Sequence, residues 1–387
     1  MAHYHTILGQ MLQMFSRFEF QKIVSLTKTE SHARGFSSWN HFVSMLFGQL
    51  SGQDSLRGIE AGLASQASSL YHAGVRPVHR STLAYANKHR SHELFKKIFE
   101  CMLSKCQPVA PKHTFKFKNP LYSIDATIIT LCLTLFDWAK FRTTKGAIKL
   151  HVKLNHSGYL PTFACITPGK VHEDRVVPHI PLEKGDVAVF DRGFTDFSWF
   201  ASLCQRGIYF VTRLKKNADY RVVERKPTAR LKHITSDQVI EFTGFAAKKK
   251  MPYRLRRIRS KDPETGKCIV LLTNQFEWSA ATIAQVYKER WQIELFFKTI
   301  KQQLKVKSFV GTSENALLSQ VWVALIAYLL LSYLKFKSKF SWSLYTLSTI
   351  LPTNLFSRRN LWDWLNAPYH DHSNSPSDQL QYALCFS

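Results

Sequence analysis

Tyr122-Ser-Ile-Asp-Ala-Thr-Ile-Ile129 is an apolar run with one carboxylate, Asp125, in its middle. β-Branched and aromatic residues at this density predict a strand. An ionised group inside such a strand is costly unless it binds something, so Asp125 is a candidate functional residue. Outward from it the same texture continues, with strands expected over 121–134, 148–155 and 159–167. The run Val187-Ala-Val-Phe190 follows, then a helical stretch near 196–206 and a strand at 208–214. Strands succeeded by strand–helix–strand alternation predict a mixed sheet with helices on its faces. Asp191 ends the run Val187–Phe190 and opens the turn Asp191-Arg192-Gly193-Phe194. Ligands of α/β sheets gather at the carboxyl ends of strands, which makes Asp191 the second candidate.

Residues 1–112 read as helical. Trp39-Asn-His-Phe-Val-Ser-Met-Leu-Phe-Gly-Gln-Leu50 keeps apolar residues at helical spacing, and Asp54-Ser55 offers an N-cap to an amphipathic helix. After Gly74 and Pro77 comes a basic helix with His79, Arg80, Lys88, His89 and Arg90. That order is compatible with a helix-turn-helix, and equally with any helical bundle that has a basic surface. Pro108-Val-Ala-Pro-Lys-His113 reads as a linker. Between Thr212 and Lys261, sixteen Lys or Arg face four Asp or Glu, a net of +12 in a β-patterned segment. Arg254 and Arg256 are spaced to share one side of a strand, which suits a phosphate-tracking surface, and Arg257 adds to the charge of the segment. Phe242, Phe245 and Tyr253 are interleaved with these cations.

The chain of 387 residues carries 53 Lys or Arg against 27 Asp or Glu, a formal +26. With 45% hydrophobic residues it is no disordered polycation, and so large a surplus points to a polyanionic partner, nucleic acid before an acidic membrane. Seven dispersed cysteines without a Cys-x-x-Cys pair give no zinc ribbon or redox motif and read as reduced cytosolic thiols. His3/His5 and His370/His372 lack cysteine partners at ligand spacing. The start of the chain has no secretory pattern, so a cytoplasmic location is expected. Residues 315–334 carry no formal charge and are long enough to span a bilayer. Polar residues dilute the run and no second one occurs, so a buried core helix is expected and no membrane.

A long helix is expected from Ser279 through Leu304. At about 100° per residue, Tyr287, Arg290, Glu294, Lys298, Lys301 and Lys305 share one stripe. Val286, Ile293, Phe296, Phe297, Ile300 and Leu304 share the adjacent one. By itself this pattern also describes an amphipathic surface helix with i,i+4 ion pairs. Carboxylates converging from two strands and a helix would repel one another, and a divalent cation resolves that, with Mg²⁺ or Mn²⁺ suited to carboxylate ligands and phosphate substrates. Asp137, Asp174 and Asp186 are rival carboxylates of lower rank.

Tyr287-x-x-Arg290-x-x-x-Glu294-x-x-x-x-x-x-Lys301 resembles the YREK signature of bacterial insertion-sequence transposases of the insertion-sequence-four type. Asp125 in Ser-Ile-Asp-Ala-Thr-Ile-Ile resembles that family's first acidic motif, and Asp191 in Phe-Asp-Arg-Gly-Phe its second, with Phe194 where many relatives have tyrosine. The likeness spans about residues 120–309. It implies an α/β ribonuclease-H-like catalytic core over 116–340, interrupted by a basic β insertion at about 216–275. An all-helical DNA-binding domain over 1–112 would precede it, and a partly flexible segment over 341–387 would follow. It further implies a catalytic and metal-binding triad of Asp125, Asp191 and Glu294 with Mg²⁺, or Mn²⁺ in its place, in two ions. Asp125 would lie between the two ions, and Asp191 and Glu294 would each complete one. Tyr287, Arg290, Lys298 and Lys301 would hold phosphates at the cut; independently, the +12 segment points to Arg254, Arg256 and Arg257 as a general DNA grip, and the helix-turn-helix pattern to Arg80 and Lys88 in end recognition. The partners implied are double-stranded DNA, as terminal inverted repeats and target, and a second copy of the chain on that DNA. The activity implied is cut-and-paste strand cleavage and strand transfer, through a hairpin donor end with a flipped base for which Phe242, Phe245 and Tyr253 are the candidate stacking partners. A nuclease without strand transfer and an inactive DNA-binding repressor are the alternatives.

Overall fold

The computed structural model describes residues 5–31, 33, 35–132, 135–142, 145–228, 233–261, 266–304 and 309–369. Lys305, the pair His370/His372 and the tail from Ser373 lie outside the described residues, as do the side chains of Asp137 and Asp174.

Helices come first: α1 (Ile7–Leu12), α2 (Arg17–Thr27), α3 (Ser38–Leu50), α4 (Leu56–Ala64), α5 (Arg80–His89) and α6 (Glu93–Cys106). Their starts are chemically marked. Thr6, Ser16, Ser37 and Ser55 each accept a backbone N–H of the first turn of α1, α2, α3 and α4. The strands are β1 (Leu121–Leu131), β2 (Lys140–Arg142), β3 (Lys145–Asn155), β4 (Leu160–Pro168), β5 (Val187–Phe190), β6 (Tyr209–Arg213), β7 (Tyr220–Lys226), β8 (Ile234–Phe242), β9 (Leu255–Lys261) and β10 (Cys268–Thr273). Between them stand α7 (Phe197–Gln205) and the short α8 (Phe245–Lys250). After them come α9 (Ala280–Glu289), α10 (Trp291–Lys298), a π-helical turn at Thr299–Gln303, α11 (Glu314–Lys337), α12 (Leu344–Asn354) and α13 (Leu361–Asn366).

All ten strands join one sheet in the order β2-β3-β1-β5-β6-β10-β9-β8-β7, with β4 pairing β3 on the same side as β2, away from β1. The pair β1–β3 is antiparallel, while β5 lies parallel to both β1 and β6. The basic segment therefore extends the central sheet through β10, which pairs with β6. The whole is a mixed α/β fold with a large sheet and N-terminal helices.

Side-chain alternation gives the sheet two covered faces. Ile124, Ala188, Phe190, Phe210 and Leu272 pack on one face with Phe200 and Leu203 of α7. Leu121, Val187, Val189, Val211 and Leu271 point the other way, onto Ile283, Val286 and Tyr287 of α9. Further along that second face, Ile129, Ile148, Leu150 and Val152 meet α10, α11 and the N-terminal helices in one continuous core. The axis of that core is α11. Apolar on every side, it packs against α3, α5, α6 and α12 and is buried along most of its length, as expected for the uncharged run.

Candidate active site

The register of β1 and β5 sets Ile124 beside Phe190, so Asp125, within β1, and Asp191, just past the end of β5, follow at the same height on neighbouring parallel strands. Each carboxylate is steadied locally. Asp125 Oδ1 accepts the Ala126 N–H at 2.8 Å, and Asp191 Oδ1 accepts the Gly193 N–H at 2.7 Å. A Cβ on Gly193 would lie 2.8 Å from Asp191 Oδ1, so any larger residue there would push the carboxylate aside. The Thr212 hydroxyl at the end of β6 donates to the Asp191 carbonyl at 3.2 Å.

Ser279 caps α9 by accepting the Thr282 N–H at 3.0 Å. The expected long helix is broken at Arg290. There the backbone tightens to i,i+3 bonds, Arg290 N–H to the Tyr287 carbonyl at 3.2 Å and Ile293 N–H to the Arg290 carbonyl at 3.1 Å. The π turn then widens the helix around Lys301. The expected apolar stripe nevertheless holds, with Val286, Ile293, Phe296, Phe297, Ile300 and Leu304 all buried. Phe296 meets Tyr328 of α11 edge to face, ring centres 4.9 Å apart.

This packing lays the polar stripe over β1. The Arg290 guanidinium donates to Asp125 Oδ2 at 3.2 Å and to Glu294 Oε1 at 2.6 Å, bridging the two carboxylates. It also lies 5.8 Å from the ring centre of Tyr287. Lys301 Nζ donates to the Ile128 carbonyl at 2.8 Å. Asp125, Thr127, Glu294, Lys298 and Lys301 line one open cavity of about 320 Å³.

Burial pushes the Asp125 carboxyl up to about 6; Asp191 and Glu294 add to the rise, while the Ala126 N–H and Arg290 oppose it. Burial also works against the charge of Arg290, but Glu294, Tyr287 and Asp125 outweigh it and hold the guanidinium above its ordinary value. The Tyr287 phenol is raised, chiefly by burial, with Arg290, Arg213 and Asp191 among the charges that act on it. Among the described residues no three His, Cys, Asp or Glu side chains stand close enough to hold one metal ion. Arg290 supplies the opposite charge between Asp125 and Glu294 instead. The donor set still suits a hard cation: it is carboxylate oxygen throughout, and Glu294 Oε2 is buried without a hydrogen bond.

The DNA-facing assignments divide. Arg256 is not on the surface. It forms a two-pronged ion pair with Asp237 (2.9 and 2.7 Å), and donates to the carbonyls of Gln275, Phe276 and Trp278. Both side chains are only 4% exposed. Its strand face is covered by α9, which spacing alone does not reveal. Arg254 precedes β9 and is exposed, pairing with Glu241, while Arg257 is half-buried against Ser236 and Gln238. Phe242 belongs to the core beneath α7, whereas Phe245 and Tyr253 are exposed. Arg80 and Lys88 are exposed on α5. Residues 65–79 separate α4 from α5, too long for the tight turn of about 3–4 residues in a helix-turn-helix. Asp186, one of the rivals, is buried and accepts the Glu183 N–H at 2.9 Å, which makes it a turn-former away from the triad. Gly193, Thr212 and Arg213 escaped the sequence reading. Only Gly193 left a signal, as the turn residue of Asp-Arg-Gly-Phe.

The sequence profile of the transposase DDE domain matches residues 116–330, and a domain of unknown function, DUF4372, matches residues 3–76. The putative transposase y4zB of Sinorhizobium fredii is 32% identical over 77% of this chain and 82% of its own length. The probable transposase for insertion sequence element IS5377 of Geobacillus stearothermophilus is 28% identical over 87% of this chain and 86% of its own. A putative transposase for insertion sequence element IS4SA of Synechocystis is 29% identical over 66% of this chain and 71% of its own. The profile covers more than half of the chain, and the first relative most of it. The chain belongs to the DDE transposases of insertion sequences.

Proposed function

We propose that this transposase cuts the ends of its element and joins them to target DNA at the cavity between β1 and α10, with Asp125, Asp191 and Glu294 as its catalytic carboxylates. The observation that carries this is the Arg290 bridge between Asp125, inside β1, and Glu294 of α10, with Asp191 just past the end of the neighbouring strand β5. The strand arrangement β4-β3-β1-β5-β6, antiparallel and then parallel, supports a ribonuclease-H-like core, and β7–β10 a basic insertion into it. The three carboxylates would hold Mg²⁺ or Mn²⁺, in two ions. Bound there, such ions supply the Lewis acidity that makes water, and later a DNA 3′-hydroxyl, nucleophilic, and they offset charge on the leaving oxygen.

The chain's own groups do the rest. Arg290, Lys298 and Lys301 bind phosphate oxygens beside the cut, and Tyr287 adds a hydroxyl to orient them. Arg254, Arg257 and the exposed Lys248, Lys249 and Lys250 give sequence-independent grip, while α5, with Arg80 and Lys88, contributes to end recognition. Two copies would serve the two ends of the element. The test is incubation with terminal-repeat duplex, acceptor plasmid and Mg²⁺. Joined product is expected from the wild type and none from Asp125→Ala, Asp191→Ala or Glu294→Ala. Cleavage without joining would make the protein a nuclease, and activity in the three variants would remove the assigned site.

A further inference from the structure

One guanidinium shared by two carboxylates is an incomplete match. Arg290 reaches both Asp125 and Glu294, yet its own Nε is buried without an acceptor and Glu294 Oε2 is buried without a donor. All three side chains are largely withdrawn from water, at 16%, 20% and 31% exposure, so neither shortfall is fully made good by solvent. Two better pairings exist. A phosphate offers a guanidinium several charged acceptors, and a divalent cation offers the carboxylates more charge than Arg290 does. Lys298 and Lys301 line the same cavity and would bring a phosphate to its mouth.

We propose that Arg290 is a latch: in the DNA-free protein it holds the cation's place between Asp125 and Glu294, and a DNA phosphate draws it away. This rests on the metal-carboxylate reading above and adds a coupling to it. DNA binding raises the affinity for metal, and by linkage metal raises the affinity for DNA. The DNA-free transposase thereby stays poorly loaded.

The test is Mn²⁺ binding, followed by the paramagnetic resonance of the free ion, on full-length protein without DNA. Arg290→Gln should bind Mn²⁺ about tenfold or more tightly than wild type, within the usual range of site-to-site coupling. Arg290→Lys should also bind more tightly, because one ammonium cannot span both carboxylates though the charge is kept. Lys298→Gln removes the same charge from the same cavity without touching the bridge, and should stay within about threefold of wild type. Adding Asp125→Asn to Arg290→Gln should erase the gain. With double-stranded DNA present, wild-type affinity should rise and that of Arg290→Gln should barely change. An Arg290→Gln affinity equal to or below wild type, or a Lys298→Gln gain that matches it, overturns the latch; if Arg290→Gln does not fold, Arg290→Lys decides by the same criterion. Absence of any Asp125-dependent Mn²⁺ site even with DNA removes the metal reading, and the latch with it.

Discussion

Replacing Arg256 by alanine should damage the fold and leave the salt dependence of DNA binding alone. In the folded protein the Arg256 guanidinium spans both oxygens of Asp237, and both side chains are 4% exposed. Removing it strands a buried carboxylate, a change that costs about 3–5 kcal/mol in comparable pairs. The same substitution frees three carbonyls, of Gln275, Phe276 and Trp278, in the segment that leads into α9. Urea unfolding followed by tryptophan fluorescence should show a clear drop in midpoint for Arg256→Ala. It should show a much smaller drop for Arg256→Met combined with Asp237→Leu, where no charge is left unpaired. DNA affinity measured against salt below the unfolding range should keep its wild-type slope. Glutamine at Lys248, Lys249 and Lys250 should do the reverse, flattening the slope by roughly 0.9 for each phosphate no longer neutralised and leaving stability unchanged. A stable Arg256→Ala protein with a flattened salt slope would refute this reasoning and return Arg256 to the DNA surface.

Phe296→Ala should cost about 3–5 kcal/mol, since the ring is 3% exposed and packs on Tyr328; an unfolding midpoint near wild type would contradict that packing. His41, His151 and His156 are each held down to about 4, foremost by burial, against an ordinary 6.5. Above pH 6.5 they neither help nor harm; between 6.5 and about 4 the unfolded chain takes up protons that the fold refuses, at about 1.4 kcal/mol per pH unit for each. Urea midpoints should therefore fall steeply below pH 6.5, and His156→Gln should lessen the slope. Gly193→Ala forces the Asp191 carboxylate off its turn, and should lower cleavage by about 100-fold with DNA binding and stability retained. Cleavage at the wild-type rate would show that the Asp191 orientation does not matter.

Periodicity carried much of this architecture because it reports which residues share a face. The carboxylate of Asp125 in an apolar strand, Asp191 at a strand end and the two stripes of the α9–α10 segment were all visible that way. The buried α11 was visible for a related reason, since a helix apolar on all sides must be covered on all sides. Periodicity does not tell what covers a face. Arg254 and Arg256 looked alike in spacing, yet α9 lies over Arg256 and its pair with Asp237 was invisible without the sheet order. Phe242 failed as a surface residue for the same reason, lying beneath α7. The break at Arg290 had no proline or glycine to announce it. It follows i,i+3 backbone bonds on either side of a residue whose side chain is held by two carboxylates, one of them 165 positions away in the chain. The distance between α4 and α5, which removes the helix-turn-helix, depended on how much of residues 65–79 would fold as a turn.

Asp125, Asp191 and Glu294 are expected to form one metal-binding site once DNA is present. The most direct measurement is anomalous scattering from Mn²⁺ in crystals of the complex with cleaved end DNA. Manganese is expected at these three carboxylates, with Arg290 moved onto a DNA phosphate. Manganese bound elsewhere, or Glu294 turned to solvent away from both aspartates, would contradict that assignment.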